Sequence, residues 1–455
     1  MKSKKRILIH IAYKRHLYDI KHRKWKKRRR MEALQKALFF YNQIGGKPTL
    51  ERLLNKGLSE NTKYLFENEE SPLNFSRIKR IVDNYGSVIM IPEYFSIIEN
   101  PKESYEALRR MVASLFFHKS SEVIIDYTRC KNFTLEAQVL LDLIIKDVLT
   151  FYKICNNIKS YKSIPKRITD RSVHGSNIRT MLFSVGSQAI HANRQQEFAN
   201  VLPYNLRFHK ASSNSLFQIE QKELDTTSLS DYVEKCLARM GRHIDDEAMD
   251  DLCTVIGEIL INAEEHSSTK CRYSIGYFEE KQLEGNHIGF FQLVILNIGR
   301  TIYEKFHDED CPNKKIVEKM KNLSDKYTKK KFWQRNTFEE ESLWTLYSLQ
   351  DGVTSVSPNL YEHRGNGSCR FIESFFNLRS NNNDNKLSRM TLQSGKTSII
   401  FDGKYGVTER VVNGDNYKVM TFNTSGNIED KPDTQYVRTT DFYFPGTFIC
   451  ANIIF

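Results

Sequence analysis

Residues 289–296, GFFQLVIL, form an unbroken apolar run of strand length. A half-exposed strand alternates apolar with polar side chains, so a continuous run of this kind reads as a buried strand. The chain must therefore build a sheet around this segment and cover it. Two shorter β-branched runs, SVIMIP (87–92) and EVIIDY (122–127), read as further strands. Ser104 to Phe117 lies between them with helical spacing, and Leu135 to Tyr152 is a strongly apolar helix. Strands alternating with helices predict an α/β chain, an α+β sandwich in its larger part. Three regions are expected: a basic arm and helical region at 1–80, a smaller α/β unit at 81–210, and a larger unit at 211–455.

The 455 residues are 40% hydrophobic, enough to bury real cores and to exclude global disorder. No run of about 18 apolar residues occurs, so no membrane span is expected. MKSKKRILIHIAYKR lacks a long apolar stretch and a small-residue cleavage site, so a secretory leader is not expected either. The eight Cys are dispersed and form no CxxC, which suits free thiols in a cytoplasmic protein better than a disulfide or zinc framework.

Charge is concentrated at one end. Residues 1–30 carry 14 Lys and Arg against Asp19 alone, a net +13, which equals the net charge of the whole chain. The remaining residues therefore sum to zero. KHRKWKKRRR (21–30) is the densest part, with Trp25 inside it. Such a run attracts nucleic acid or another polyanion through counterion release, and Trp25 could stack on a base. A protein partner with an acidic face, or a homodimer, are the other expected partners.

The chemistry centres on Asp246 to His266, which reads as one helix. On its wheel Leu252, Val255, Ile256, Ile259, Leu260 and Ala263 form an apolar face. Asp251, Glu258, Asn262 and Glu265 gather in a polar stripe beside it. Glu258 and Asn262 stand at i,i+4 and point the same way. An amide oxygen so placed can ligate a hard cation such as Mg²⁺, and a carboxylate can orient or deprotonate water. The apolar run ends at Asn297-Ile298-Gly299, a polar residue and a glycine at the exit of a buried strand. Further on, Arg364-Gly365-Asn366-Gly367-Ser368 leads into a helical stretch, Cys369 to Leu378. Two glycines at i,i+2 let backbone N–H groups turn toward an anion, and the helix start adds its positive dipole end. SGKT (394–397) lacks the earlier glycine of a phosphate-binding P-loop, since Met390 stands there, and reads as a hairpin turn.

Glu258-xxx-Asn262-Ala263-xx-His266-Ser267, then Asn297-x-Gly299, then Arg364-Gly365-x-Gly367, then strands ending in Gly446-Thr447, resemble the boxes of the GHKL ATPase superfamily, whose ATP-binding domain has the Bergerat fold. The resemblance covers roughly residues 225–455. It implies ATP and Mg²⁺ as ligands, with Glu258 acting on the attacking water and Asn262 on Mg²⁺. It also implies that Asn297 accepts from the adenine amine where the family has Asp, and that Gly299 lets the backbone approach the base. Gly365, Asn366 and Gly367 would hold the phosphates, Thr447 would supply the late Gly-Thr box, with SGKT as a competing match, and residues 302–363 would form a lid. Asn297 carries no charge and Thr301 replaces the second glycine of its box, departures that bear on affinity and base preference. The implied activity is a slow Mg²⁺-dependent ATPase serving as a nucleotide-controlled switch. A GHKL-type protein Ser/Thr or His kinase and a non-hydrolysing nucleotide-binding scaffold are the alternatives. His243, before Ile244-Asp245-Asp246, sits in no separate dimerising hairpin, which disfavours the His kinase. Finally, EVIIDYTRC followed by an apolar helix faintly resembles a STAS domain, whose acceptor hydroxyl would fall near Thr134, itself more simply read as a helix N-cap.

Overall fold

The computed structural model describes residues 14, 21–22, 24–25, 57–79, 87–117, 122–155, 167–187, 197–211, 215–283, 285–328, 338–355, 367–379, 388–412 and 415–455. These residues form a mixed α/β structure with several sheets. Most of the basic arm lies outside them. Within it, Lys14, Lys21, His22, Lys24 and Trp25 are helical, and Trp25 is 51% exposed.

The first layer is α1 (Glu60–Glu67), α2 (Phe75–Lys79), β1 (Val88–Met90), β2 (Tyr94–Phe95), α3 (Pro101–Phe116), β3 (Glu122–Asp126), β4 (Asn132–Phe133), α4 (Leu135–Cys155), β5 (Arg167–Arg171) and α5 (Ser176–Ser184). β1, β3 and β5 pair in parallel in that order, with α3 and α4 as crossovers. Pro101 begins α3 where its missing N–H costs nothing. Tyr105, Leu108, Met111, Val112 and Leu115 follow at helical spacing, and all are buried. The strands and helices read from SVIMIP, EVIIDY, Ser104–Phe117 and Leu135–Tyr152 are found at those places.

The second layer is β6 (Val201–Lys210), α6 (Ser215–Arg239), α7 (Asp246–His266), β7 (Cys271–Leu283), β8 (Asn286–Ile298), α8 (Ile302–His307), α9 (Lys314–Thr328), α10 (Glu340–Ser348), α11 (Gly367–Asn377), β9 (Arg389–Phe401), β10 (Thr408–Val412), β11 (Asp415–Val419) and β12 (Val437–Ile454). Five strands make one antiparallel sheet in the order β6-β7-β8-β12-β9, so β12 is inserted between strands made long before it. The apolar run lies in β8. Phe291, Leu293 and Ile295 enter the core shared with α6, α7, α10 and α11. Val294, Leu296 and Ile298 enter the opposite core, beneath α3 and α4. The strand is covered on both faces, as a run without alternation requires.

Two boundaries differ from the expectation. The strand at 201–210 belongs to the large sheet, not to the unit before it, because it pairs with β7 along Val201–Lys210. The helix at 60–67 is not part of a separate arm. Asn61 donates from Nδ2 to the Tyr273 hydroxyl at 2.6 Å and accepts from Thr269 Oγ1 at 2.5 Å, tying α1 to the large sheet.

Burial raises several carboxyls of the first core, Glu136 among them. Burial pushes Asp142 up to about 7 and Asp170 up to about 6, and the charge of Asp170 adds to the shift at Asp142. A carboxyl raised on folding favours the folded state below its unfolded pKa and loses that contribution as pH rises through the folded one. Stability is therefore expected to fall between about pH 4 and 7. Asp142→Asn should flatten this slope and gain about 1–2 kcal/mol at pH 8, less than the full conversion because the side chain keeps some solvent. Thermal melts from pH 4.5 to 8 measure it, and an unchanged slope refutes it.

Candidate functional site

α7 follows the pattern read for it. Asp245 caps its start by accepting from the Ala248 N–H at 2.8 Å. Leu252, Val255, Ile256, Ile259 and Leu260 are buried, while Ala263 is half-buried. On the polar stripe Asp251 is exposed, and Glu258 and Asn262 are half-buried. The side chain of Glu265 lies outside the described residues.

The end of α7, the exit of β8 and the bend in β12 meet at Asn297. This side chain is 1% exposed. Its Nδ2 donates to the Ala263 carbonyl at 2.7 Å, and its Oδ1 accepts from the Thr447 N–H at 3.1 Å. Asn297 and Thr447 are also paired across the strands. The amide expected to face adenine is thus already engaged at both ends, and it clamps three elements together. Two glycines make the close packing possible. Gly299 has φ +154° and a Cβ there would meet the Ser268 backbone N at 2.4 Å; Gly446 has φ +146° and a Cβ would meet the Asn297 carbonyl O at 2.2 Å. Thr447 Oγ1 lies 2.9 Å from Ser394 Oγ, which accepts from the Ile302 N–H at 3.0 Å.

α11 packs along α7, and its Arg370 acts electrostatically on Glu258. The buried Oε2 of Glu258 has no hydrogen-bond partner among the described residues. Burial holds the carboxyl above its usual range, opposed by the Arg370 guanidinium and reinforced by the Asp351 carboxylate. Asp351 is itself raised by burial, and it accepts from the Lys418 N–H at 2.8 Å. Arg370, in the first turn of α11, is thus a cation whose charge reaches both carboxylates. Neither Arg370 nor Asp351 was singled out in the sequence; the only signal was a cation three residues after Gly367. Gly367 opens α11. Gly365 and Asn366 lie outside the described residues.

SGKT is not a hairpin turn. It lies inside β9, where Gly395 pairs with Phe444 across a register shift and the Lys396 N–H donates to Glu341 Oε1 at 2.8 Å. The segment read as a lid holds α8, α9 and α10. Leu343, Trp344, Leu346 and Tyr347 of α10 are all buried in the core, so this helix cannot swing without opening it. Thr301 caps α8 in a reciprocal capping box with Glu304, a job for which glycine is less suited.

A second buried cluster adjoins the end of α7. Arg272, 1% exposed, donates from Nη2 to Asp225 Oδ2 at 2.8 Å, and its Nε is 3.7 Å from Glu264 Oε2. His209 Nδ1 lies 2.6 Å from the same Glu264 oxygen. Glu264 follows directly on the residue whose carbonyl holds Asn297.

No group of three or more His, Cys, Asp or Glu placed to hold a metal occurs among the described residues, and no helix there is long and apolar enough to cross a membrane. The seven cysteines whose side chains are described are unbridged. Comparison with protein-family models, with curated proteins and with solved structures returns no match.

Proposed function

We propose that residues 201–455 bind ATP with Mg²⁺ in the manner of the GHKL superfamily and hydrolyse it slowly, as a nucleotide-controlled switch. The observation that carries this reading is the Oε2 of Glu258, unpartnered among the described residues, half-buried one helical turn from Asn262 and within reach of the Arg370 charge. A buried carboxylate oxygen without a donor is costly unless a ligand or water completes it. Further support is the two-layer arrangement, with α6, α7, α10 and α11 sharing one core face of an antiparallel sheet. The convergence of the Asn297–Gly299 and Gly446–Thr447 boxes on the end of α7 supports it as well.

In this reading the carboxylate of Glu258 accepts a proton from water, and burial makes it a stronger base than an ordinary Glu. The Asn262 amide oxygen fits a hard cation that takes its other ligands from phosphate and water. Mg²⁺, when bound, supplies neutralisation of phosphate charge. Asn297 keeps α7 and β12 at fixed separation, and adenine would be read through the second lone pair of its oxygen and the backbone beside Gly299. Residues 1–30 are the route by which a polyanion would reach the switch.

Isothermal titration with Mg²⁺ and ATP tests the proposal. Wild type should bind saturably, and Asn262→Ala should weaken binding at least about tenfold, the loss of one charge-assisted ligand. Equal, non-saturating heats from both proteins would overturn it.

A further inference from the structure

Away from that site, the turn after β9 and the approach to β12 bring three aromatic rings together. The Tyr405 and Tyr436 rings stand 5.1 Å apart at 88°, forming an open corner. Phe422 lies behind them, 5.8 Å from Tyr405 and 6.3 Å from Tyr436. It is 1% exposed and has φ +54°, a backbone conformation that a bulky residue adopts only when its surroundings enforce it. The Tyr405 hydroxyl donates to Asp433 Oδ2 at 2.9 Å, and the Tyr436 hydroxyl donates to Asp402 Oδ2 at 2.8 Å.

Inside the corner sits an ammonium group. Lys404 Nζ is 4.9 Å from the Tyr405 ring centre and 4.8 Å from that of Tyr436, and it donates to Asp433 Oδ2 at 3.2 Å. This is the environment that recognises alkylammonium cations: ring faces on two sides and a carboxylate at the base. The Lys404 side chain is nevertheless 50% exposed. An exposed pair of this kind holds its cation weakly. The walls do not depend on that cation, because both tyrosines are fixed by carboxylates and backed by Phe422. Arg379 packs on Phe376, with its guanidinium beside Gly403.

We propose that the corner of Tyr405, Tyr436 and Asp433 is a binding site for an external alkylammonium group, with Lys404 as a built-in, displaceable occupant. The site is independent of the nucleotide reading. Its ligand is a quaternary or methylated ammonium, which must compete with the tethered ammonium of Lys404 for the same corner.

The test uses the full chain and tetramethylammonium chloride, with ionic strength balanced by sodium chloride, followed by ligand-observed proton NMR. Lys404→Ala should give saturable binding with a midpoint of about 10–50 mM, the range expected of exposed cation–π contacts. Wild type should be at least about tenfold weaker, and adding Tyr436→Leu should abolish the signal. Lys404→Gln replaces the alanine variant if that one melts early. A short glycine-flanked peptide bearing trimethyllysine separates the sources: tighter binding than tetramethylammonium assigns the site to a partner's lysine, and equal binding to a small quaternary ammonium ion. No saturable signal in folded Lys404→Ala and Lys404→Gln proteins, or a signal that survives Tyr436→Leu, would overturn the proposal.

Discussion

Arg272→Ala should destabilise the protein by about 3–5 kcal/mol, the largest single loss expected from any substitution considered, because it strands buried carboxylates without their cation. Among the described residues Asp225 would keep the Gln221 amide at 3.2 Å, and Glu264 would keep His209 Nδ1 at 2.6 Å. The loss arises from uncompensated charge and not from the ion pair as such. Arg272→Met combined with Asp225→Leu should therefore recover part of it, since matched apolar replacements remove both members. Urea midpoints at constant m-value give the comparison. A loss under about 1 kcal/mol for Arg272→Ala would show that solvent reaches the cluster and screens it. The network also ties α6, β6 and β7 to α7 beside the Ala263 carbonyl that holds Asn297.

Glu258→Ala should leave ATP affinity within about threefold of wild type and lower turnover about 10²- to 10⁴-fold, the usual worth of a positioned general base. In the proposed arrangement this carboxylate acts on water and touches neither base nor sugar. Because burial raises its carboxyl, wild-type turnover should fall on acidification at a pH above that expected of an ordinary Glu. Glu258→Gln should lose both rate and pH dependence while keeping the shape of the side chain. Steady-state phosphate release across pH 5 to 8 provides the measurement. Turnover indifferent to both substitutions would remove Glu258 from the chemistry while leaving ATP binding to the titration with Asn262→Ala.

Much of the fold was legible because it rests on local patterns. GFFQLVIL declared a strand covered on both faces, and the wheel of α7 separated its buried residues from Glu258 and Asn262. Edge strand β6 was not legible. VLPYNLRFHK contains Pro203, and a register shift between Tyr204 and Arg207 breaks its alternation. SGKT looked like a turn because it contains a Ser-Gly pair. In β9 the Ser394 and Thr397 hydroxyls find partners in Thr447 and Ser342 and can be buried in a strand. The role of Asn297 depended on two backbone groups far away in sequence, so its residue type alone suggested a ligand contact where the structure has a clamp. The His209–Glu264–Arg272–Asp225 cluster was invisible for the same reason: its four residues come from four separate elements.

The position of β12 has a consequence for how the protein is made. β6, β7 and β8 can pair as soon as they emerge, but the strand that completes β8 on its other side arrives only after α8 through β11 have been synthesised. At about 5–20 residues per second this leaves the apolar β8 with an open edge for on the order of ten seconds. During that interval the nascent chain presents a ready template for unwanted strand pairing. Ribosome-bound chains stalled before residue 437 should therefore recruit chaperones strongly, and release them once β12 has slotted into its gap.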